Sequence, residues 1–429
     1  MPKAFYGVGS NMTFPLFSFL LRRIGRQTPV DVPLQEGFDA WLATLCAAIF
    51  VGYLTVAVPL PVLSLFVRQE LGLSDTLVGL AVGISFLSTV LTRGFAGGVA
   101  DRRGPELAVK SGFVYAFIGG AIYLAAALMP AGPVARYLVL LCGRLVFGVG
   151  ESLFVTGILT WGVALAGSNR SGKVMTWAGM ALYGSLALGA PVGLAVWRLG
   201  GFAAVALSAA LIPIVALAIV ACAPPVPRTN GPHRSSFRSV LGKIWPLGLT
   251  LALQGAGFAT IGAFATLYIK AEGWDHAGLA LSAFGGAFVL ARILFGSLPD
   301  KVGGLRIAVW FFAIEIAGQA LLSIAQAPWM AFLGAGLTGF GCSLIFPALG
   351  RVVVGRVPQE NRGTALGAFG AFQDVAYGAT GPVTGILVSL CGYRSAFIFG
   401  FLAASAGFAL AWRLRAREHN NPGTPEAAR

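Results

Sequence analysis

Arg93-Gly94-Phe95-Ala96-Gly97-Gly98-Val99-Ala100-Asp101-Arg102-Arg103-Gly104 sets charge and glycine between two apolar runs, one beginning near Thr76 and the next near Leu107. The pattern returns 199 residues later as Arg292-Ile293-Leu294-Phe295-Gly296-Ser297-Leu298-Pro299-Asp300-Lys301-Val302-Gly303. Arg93 aligns with Arg292, Gly97 with Gly296, Asp101 with Asp300, Arg102 with Lys301, and Gly104 with Gly303. Five matches at one offset, in matching hydrophobic surroundings, mark a duplicated unit. Among membrane proteins, such internal repeats point to a transporter.

The composition supports a membrane setting. Of 429 residues, 57% are hydrophobic and 11% charged, with a mean hydropathy of +0.80. Soluble domains carry about 25% charged residues, so water is not the main solvent of this chain. Apolar runs recur at roughly the 20 residues needed to cross a hydrocarbon core of about 30 Å. The 59 glycines and 23 prolines suit membrane helices, where glycine allows close packing and neighbours satisfy a proline break.

Twelve spans can be counted, at about 40–66, 76–100, 107–129, 136–165, 173–197 and 203–223, then 244–269, 277–299, 305–326, 328–354, 364–390 and 394–413. The chain therefore divides into an N-terminal extension (1–39), a six-helix half (40–223), a polar, Pro-rich linker (224–243), a second six-helix half (244–414) and a tail (415–429). The expected fold class is an all-α membrane protein with two pseudo-symmetric halves. Its extension contains Phe14 to Leu21 followed by Arg22 and Arg23, the reverse of a signal peptide's charge order, and too short to span. It is expected to be cytoplasmic.

Net charge is +14, but the cations are dispersed and form no nucleic-acid-binding stripe. Placing both termini in the cytoplasm leaves 22 of the 30 basic residues in cytoplasmic segments, against Arg68, Arg136, Arg198, Lys270 and Arg394 outside and Arg93, Arg144 and Arg292 within spans. That bias is the positive-inside signal, and it predicts a multi-pass membrane protein with both termini in the cytoplasm. The cysteines Cys46, Cys142, Cys222, Cys342 and Cys391 show no paired spacing, and the three histidines lie outside the spans. No metal site or cofactor is expected. No Gly-Lys-Ser/Thr phosphate loop and no nucleophile–base set is visible, so an ATP-driven pump and a membrane enzyme are both disfavoured.

The duplication extends further. Gly148-Val149-Gly150-Glu151-Ser152-Leu153 matches Gly339-Phe340-Gly341-Cys342-Ser343-Leu344, and Gly189-Ala190-Pro191-Val192-Gly193 has a counterpart in Gly381-Pro382-Val383-Thr384-Gly385. With these residues in view, the chain from about 40 to 414 resembles the major facilitator superfamily. Gly97 to Gly104 is similar to that family's loop motif between spans 2 and 3. Arg144-x-x-x-Gly148-x-Gly150 resembles a span-4 motif of its proton-coupled members. Gly189-Ala-Pro191-x-Gly193 is a weakened form of its span-5 antiporter motif, whose full Gly-Pro-x-x-Gly form stands here in span 11 instead. Pro105 and Glu106 depart from the basic residues usual after the loop glycine. The resemblance is strongest to bacterial inner-membrane carriers of the drug- or arabinose-efflux-like kind, and it implies a proton antiporter of a bacterial inner membrane, a central cavity lined by spans 1, 4, 7 and 10, and a monomer.

Arg144 and Glu151 lie two helical turns apart and share a face. Ionisable groups within a span cost several kcal/mol unless paired or wet, and they mark function by default. Glu151, with Arg144, is therefore a proton-coupling candidate, an ion pair within span 4 being the bland alternative. Asp374, beside Gln373 and near mid-span 11, is the second, as a proton site or a helix-pairing residue. Glu315 and Gln319 share a face of span 9, a peripheral span under the resemblance. Tyr53, Thr55, Ser152, Thr156, Gln254, Thr260, Tyr268 and Ser343 are candidates to line a substrate cavity, each competing with a plain packing role. Arg93, Gly97, Asp101, Arg102 and Gly104, with Arg292, Gly296, Asp300, Lys301 and Gly303, form a candidate conformational latch, in which Asp101 caps the next helix or pairs with Arg93 or another helix. Gly189, Pro191, Gly193, Gly381, Pro382 and Gly385 are candidates for tight helix packing.

The function expected from all this is secondary active transport, as proton-coupled export of a small organic solute by rocker-switch alternating access. Proton-coupled uptake of a sugar or organic anion, and a non-transporting receptor on the same fold, are the alternatives. The expected partners are the solute, protons and membrane lipid.

Overall fold

A computed structural model describes residues 38–166, 171–224, 226, 237–357 and 362–419, apart from the side chains of residues 38, 39, 171, 172, 237–240, 243, 300, 362–364 and 419. Nearly all of the expected extension (1–39), most of the linker (224–243) and the last ten residues of the tail lie outside the described residues. By contacts, Asp39–Arg429 forms one compact unit.

Every regular element described is helical. Span 1 is Phe38–Ala57, then Leu60–Leu65 and a π-helical turn Phe66–Glu70. Its interruption coincides with Pro59 and Pro61, which lack the N–H a continuous helix needs. Span 2 is Asp75–Arg103, span 3 Pro105–Leu128 and span 4 Pro133–Ala166. Spans 5 and 6 run through Ser171–Val220, folded at Gly200 and at Gly201, whose φ of 63° and ψ of −161° suit glycine alone. Span 7 comprises Phe237–Thr260, a π-helical turn Ile261–Ala265 and Thr266–Ala271; span 8 comprises Leu279–Phe295 and Leu298–Val302. Spans 9 to 12 are Gly304–Ser323, Pro328–Gly355, Arg362–Cys391 and Arg394–His419.

Among the described residues, nine helices are long and apolar enough to cross a membrane. The count reaches twelve once the 50-residue helix is divided at its glycine fold and two further helices are added. These are the shorter Leu279–Phe295 and the less apolar Arg362–Cys391, which carries Gln373 and Asp374. The helices also expose apolar side chains freely: Leu91 is 75% exposed and Leu390 76%. Such surface is normal against lipid tails and unusual in water.

The repeated motif is largely helix, not loop. Span 2 continues through Asp101, Arg102 and Arg103, and one residue, Gly104, makes the turn at φ 100° and ψ 146°. Gly303 makes the same turn at φ 99° and ψ 141°. That region is accessible essentially to glycine alone, which explains why both copies end on it. Gly104 occupies the cap position of span 3, and Pro105 follows at the first helical position, where its missing N–H costs nothing.

Packing repeats with the sequence. Span 3 lies on span 4 and span 9 on span 10; span 2 lies on span 4 and span 8 on span 10. Between the repeats, span 2 packs on span 11 and span 5 on span 8. The Ser64 hydroxyl in span 1 donates to the Ala263 carbonyl in span 7 at 2.8 Å, 199 residues away. The bond joins the first half directly to the second.

Candidate functional site

The site is built where spans 1, 2, 4, 5, 7 and 11 converge. Gly148 lets span 4 approach so closely that an added Cβ would strike the Ser85 carbonyl of span 2. Arg144, one turn earlier and 1% exposed, reaches across that seam. Its Nε donates to the Ala81 carbonyl (2.8 Å), and Nη2 donates to the Val82 carbonyl (2.7 Å) and the Ser85 hydroxyl (2.5 Å). Nη1 approaches the Tyr123 hydroxyl of span 3 at 3.4 Å. The guanidinium thus fastens spans 2, 3 and 4 together, and its hydrogen bonds leave Glu151 aside.

Glu151 is buried, takes part in no ion pair among the described residues, and its Oε2 receives no hydrogen bond. The Tyr53 hydroxyl of span 1 faces it, and the charges of Asp374, Arg144 and Arg93 act on it. Asp374 of span 11 is ion-paired through Oδ2 with Nε of Arg93, from span 2. The carboxyl side chain is 9% exposed and the arginine 30%. Arg93, read from the sequence as a latch residue that Asp101 could pair with, thus fastens the first repeat to the second. Two buried carboxyls, one phenol and one bridging arginine form a single electrostatic unit, so protonation of one carboxyl changes the field on the other.

Aromatic rings close the space beside this unit. The hydroxyls of Tyr183 in span 5 and Tyr377 in span 11 are 3.1 Å apart. Tyr183 stacks on Phe288 at 3.6 Å, and Tyr377 meets Phe86 and Phe258 edge-on at 5.1 and 4.9 Å. Gln373 donates to Gln254 across spans 11 and 7 at 3.2 Å. Sequence reasoning missed this aromatic group, because a tyrosine or phenylalanine in an apolar span carries no signal of which helix it will face.

The other residues selected from the sequence are dispersed. The Thr55 hydroxyl bonds the Gly52 carbonyl of its own helix, and Thr260 that of Gly257. Tyr268 donates to the Ala325 carbonyl beside Trp274 and Phe397. Ser343 donates to the Phe288 carbonyl. Ser152 is buried with its hydroxyl unpartnered, and Thr156 is half-buried. Arg292 mirrors Arg93 in position but bonds backbone, the carbonyls of Thr176 in span 5 and Ser343 in span 10, both at 3.3 Å. Gly97 has open space around it, Gly296 ends the main helix of span 8, and Arg102 and Lys301 are exposed. The Asp300 side chain lies outside the described residues.

The two copies of the packing motif have different partners. Gly381 and Gly385 press on Gly79 and the Asp75 carbonyl of span 2, and Pro382 lies against Gly83. Gly189 and Gly193 press on Ala57 and Val58 of span 1, while Pro191 meets Gly278 at the start of span 8. Glycine seams therefore close the end of the bundle opposite the Gly104 and Gly303 turns. Toward those turns the seam ends: Gly94, Gly97 and Gly98 of span 2 and Gly367 and Gly370 of span 11 have nothing within 4 Å of an added Cβ. A separate cavity of about 420 Å³ opens at the closed end, lined by Gln69, Trp197, Arg198, Lys270, Trp274 and His276 among others, and by none of the central groups.

Comparison with known proteins agrees with this architecture. The family model described as Major Facilitator Superfamily matches residues 45–277 and 247–429. An uncharacterized MFS-type transporter of Salmonella typhimurium is 43% identical over 385 residues, 90% of this chain and 99% of the relative. The uncharacterized MFS-type transporter YhhS of Escherichia coli is 40% identical over 402 residues, 93% of this chain and 98% of its own. Among solved structures, the human organic anion transporter MFSD10 (TETRAN) superposes with a TM-score of 0.67 at 15% identity, covering 88% of this chain and 100% of that one. A variant of the nucleoside transporter NupG gives a TM-score of 0.69 at 15% identity, covering 88% and 99%. At such identities the solved structures show the fold alone.

Proposed function

The chain belongs to the Major Facilitator Superfamily, and we propose that this secondary transporter couples export of a small organic solute to proton entry. The halves 40–223 and 244–414 are the moving bodies, rocking against each other where spans of one meet spans of the other. The positive-inside bias supports a bacterial inner-membrane protein with both termini in the cytoplasm, and hence a state sealed on the outside and loosened on the inside.

One observation carries the coupling: Arg93 of the first half is ion-paired with Asp374 of the second, within the field of the unpaired Glu151. A proton on Asp374 would cancel the attraction that holds the halves together at this level. Release of Arg93 would then place its charge nearer Glu151. Protonation and domain movement are linked because the ion pair crosses the moving interface, as an exchange of solute for protons requires.

The test uses purified protein in proteoliposomes enclosing a pH-sensitive dye, with drugs, sugars and organic acids added in turn across an imposed proton gradient. A solute that discharges the gradient in the native protein, and fails to do so in Glu151→Gln and Asp374→Asn, supports the proposal. Solute movement that leaves the gradient intact in all three would sink the proton-coupled mechanism while leaving transport itself in place.

A further inference from the structure

Glu315 lies in span 9, outside the site just described, and has no exposed surface. No ion pair among the described residues includes it, and neither of its carboxyl oxygens receives a hydrogen bond. Gln319, one helical turn along, donates from Nε2 to the Gly257 carbonyl at 3.1 Å. That bond fixes the amide's orientation and leaves its Oε1 a buried acceptor, also without a donor. Three acceptor oxygens are thus buried on one face of span 9 with no donor among them. Buried polar atoms are almost always partnered, so a donor is missing.

The surroundings limit what it can be. The titratable neighbour is the Cys342 thiol of span 10, which can offer the carboxyl no more than a weak S–H donor. Span 7 presents Gly257, Thr260 and the neutral Gln254, and span 12 presents Gly400. Glycines from three helices enclose the pair. An added Cβ at Gly257 would strike Glu315 Oε1, one at Gly400 would strike Gln319 Oε1, and one at Gly341 would strike the Glu315 backbone. A metal ion would need a shell of several ligands; a proton needs none. Bound to Glu315, it turns one acceptor into an O–H donor, on the helix face that also carries the Gln319 amide one turn along. A single proton removes the buried charge.

We propose that Glu315 is a second proton-binding site, a carboxylic acid next to Gln319 and separate from the Glu151–Asp374 centre. Its role in coupling rests on the proton-coupled function proposed above; its existence does not. A polar route joins the two sites. Cys342 faces both Glu315 and Gln254, and Gln254 accepts from Gln373, the residue before Asp374. The line runs from span 9 through spans 10 and 7 to span 11.

Infrared difference spectroscopy on the full chain in lipid nanodiscs tests the site directly. A protonated-carboxyl C=O band at neutral pH, shifted in heavy water, should be absent from Glu315→Gln and retained in Glu151→Gln and Asp374→Asn. The amide mimics the neutral acid, so Glu315→Gln should melt with the native protein and Glu315→Ala below it. Persistence of the band in Glu315→Gln overturns the proposal. So does a native melting temperature that rises with sodium at fixed ionic strength and no longer does so in Glu315→Gln. Where solute-driven proton flux is seen, a lower proton-to-solute ratio in Glu315→Gln supports the coupling role, and an unchanged ratio refutes it. If the native protein shows no such flux, the proposed function fails and the infrared band still decides the site.

Discussion

Gly79 of span 2 and Gly381 of span 11 face each other reciprocally: a Cβ on either would collide with the other's carbonyl oxygen. Backbones can approach this closely only where both helices lack side chains at the contact, the arrangement by which membrane helices gain close packing. The contact joins residues 302 positions apart and belongs to the seam that closes one end of the bundle.

Gly79→Val and Gly381→Val should therefore force the seam open. Overpacking of this kind costs about 1–3 kcal/mol, and it is directed at one conformation. The expected result is a lower melting temperature together with new labelling, by a membrane-impermeant thiol reagent, of a cysteine placed at Thr76. Gly98→Ala, which has open space around it, should leave both unchanged.

Breaking the Arg93–Asp374 pair should cost more than either residue's packing. Removing one partner of a buried pair typically costs about 3–5 kcal/mol, because the other charge is stranded. With Arg93 30% exposed, the lower end applies to Asp374→Ala. Asp374→Asn keeps the shape and removes the charge, so it should imitate the protonated state. Cross-linking between cysteines at Gly94 and Gly370, glycines of spans 2 and 11 with open space around them, should become weaker than in the native protein. Unchanged cross-linking would argue that the pair does not hold the halves.

Arg144→Lys should be poorly tolerated. The guanidinium serves two backbone carbonyls and one hydroxyl at 2.5 to 2.8 Å, in three directions fixed by a planar fork. An ammonium cannot reproduce that geometry. Loss of one charged hydrogen bond costs about 1.5–3 kcal/mol, so a melting temperature lowered in step with the amount of folded protein is expected. Normal stability with altered proton flux alone would instead assign Arg144 to coupling.

Gly104→Ala and Gly303→Ala should destabilise by similar amounts. Both glycines hold φ near 100° with ψ near 145°, a conformation costing about 1–3 kcal/mol for other residues. Thermal unfolding of each variant measures it. A large effect at one site and none at the other would mean that the two turns, alike in backbone, differ in what they support.

The sequence by itself determined the class of fold and its duplication. Hydrophobic runs of membrane-spanning length are a local property, and so is a glycine that ends a helix, so both can be read without knowing any partner. The 199-residue offset even identified which turns would share a conformation. It also singled out Glu151, Asp374 and Arg93, because ionisable side chains are conspicuous against an apolar background. Only the tertiary structure decided their partners. From the sequence, Arg144 and Glu151 shared a helix face and Arg93 had Asp101 within reach; in the folded chain Arg144 bonds the carbonyls of Ala81 and Val82, and Arg93 reaches Asp374, 281 residues away. The same holds for Tyr268 and Thr260, whose hydroxyls settled on backbone carbonyls, and for the Tyr183–Tyr377 pair, which no spacing announced. Helical periodicity fixes which residues share a face, but which face meets which is set by the packing of all the helices at once. Pairing between distant spans is a property of that packing and has no local signature.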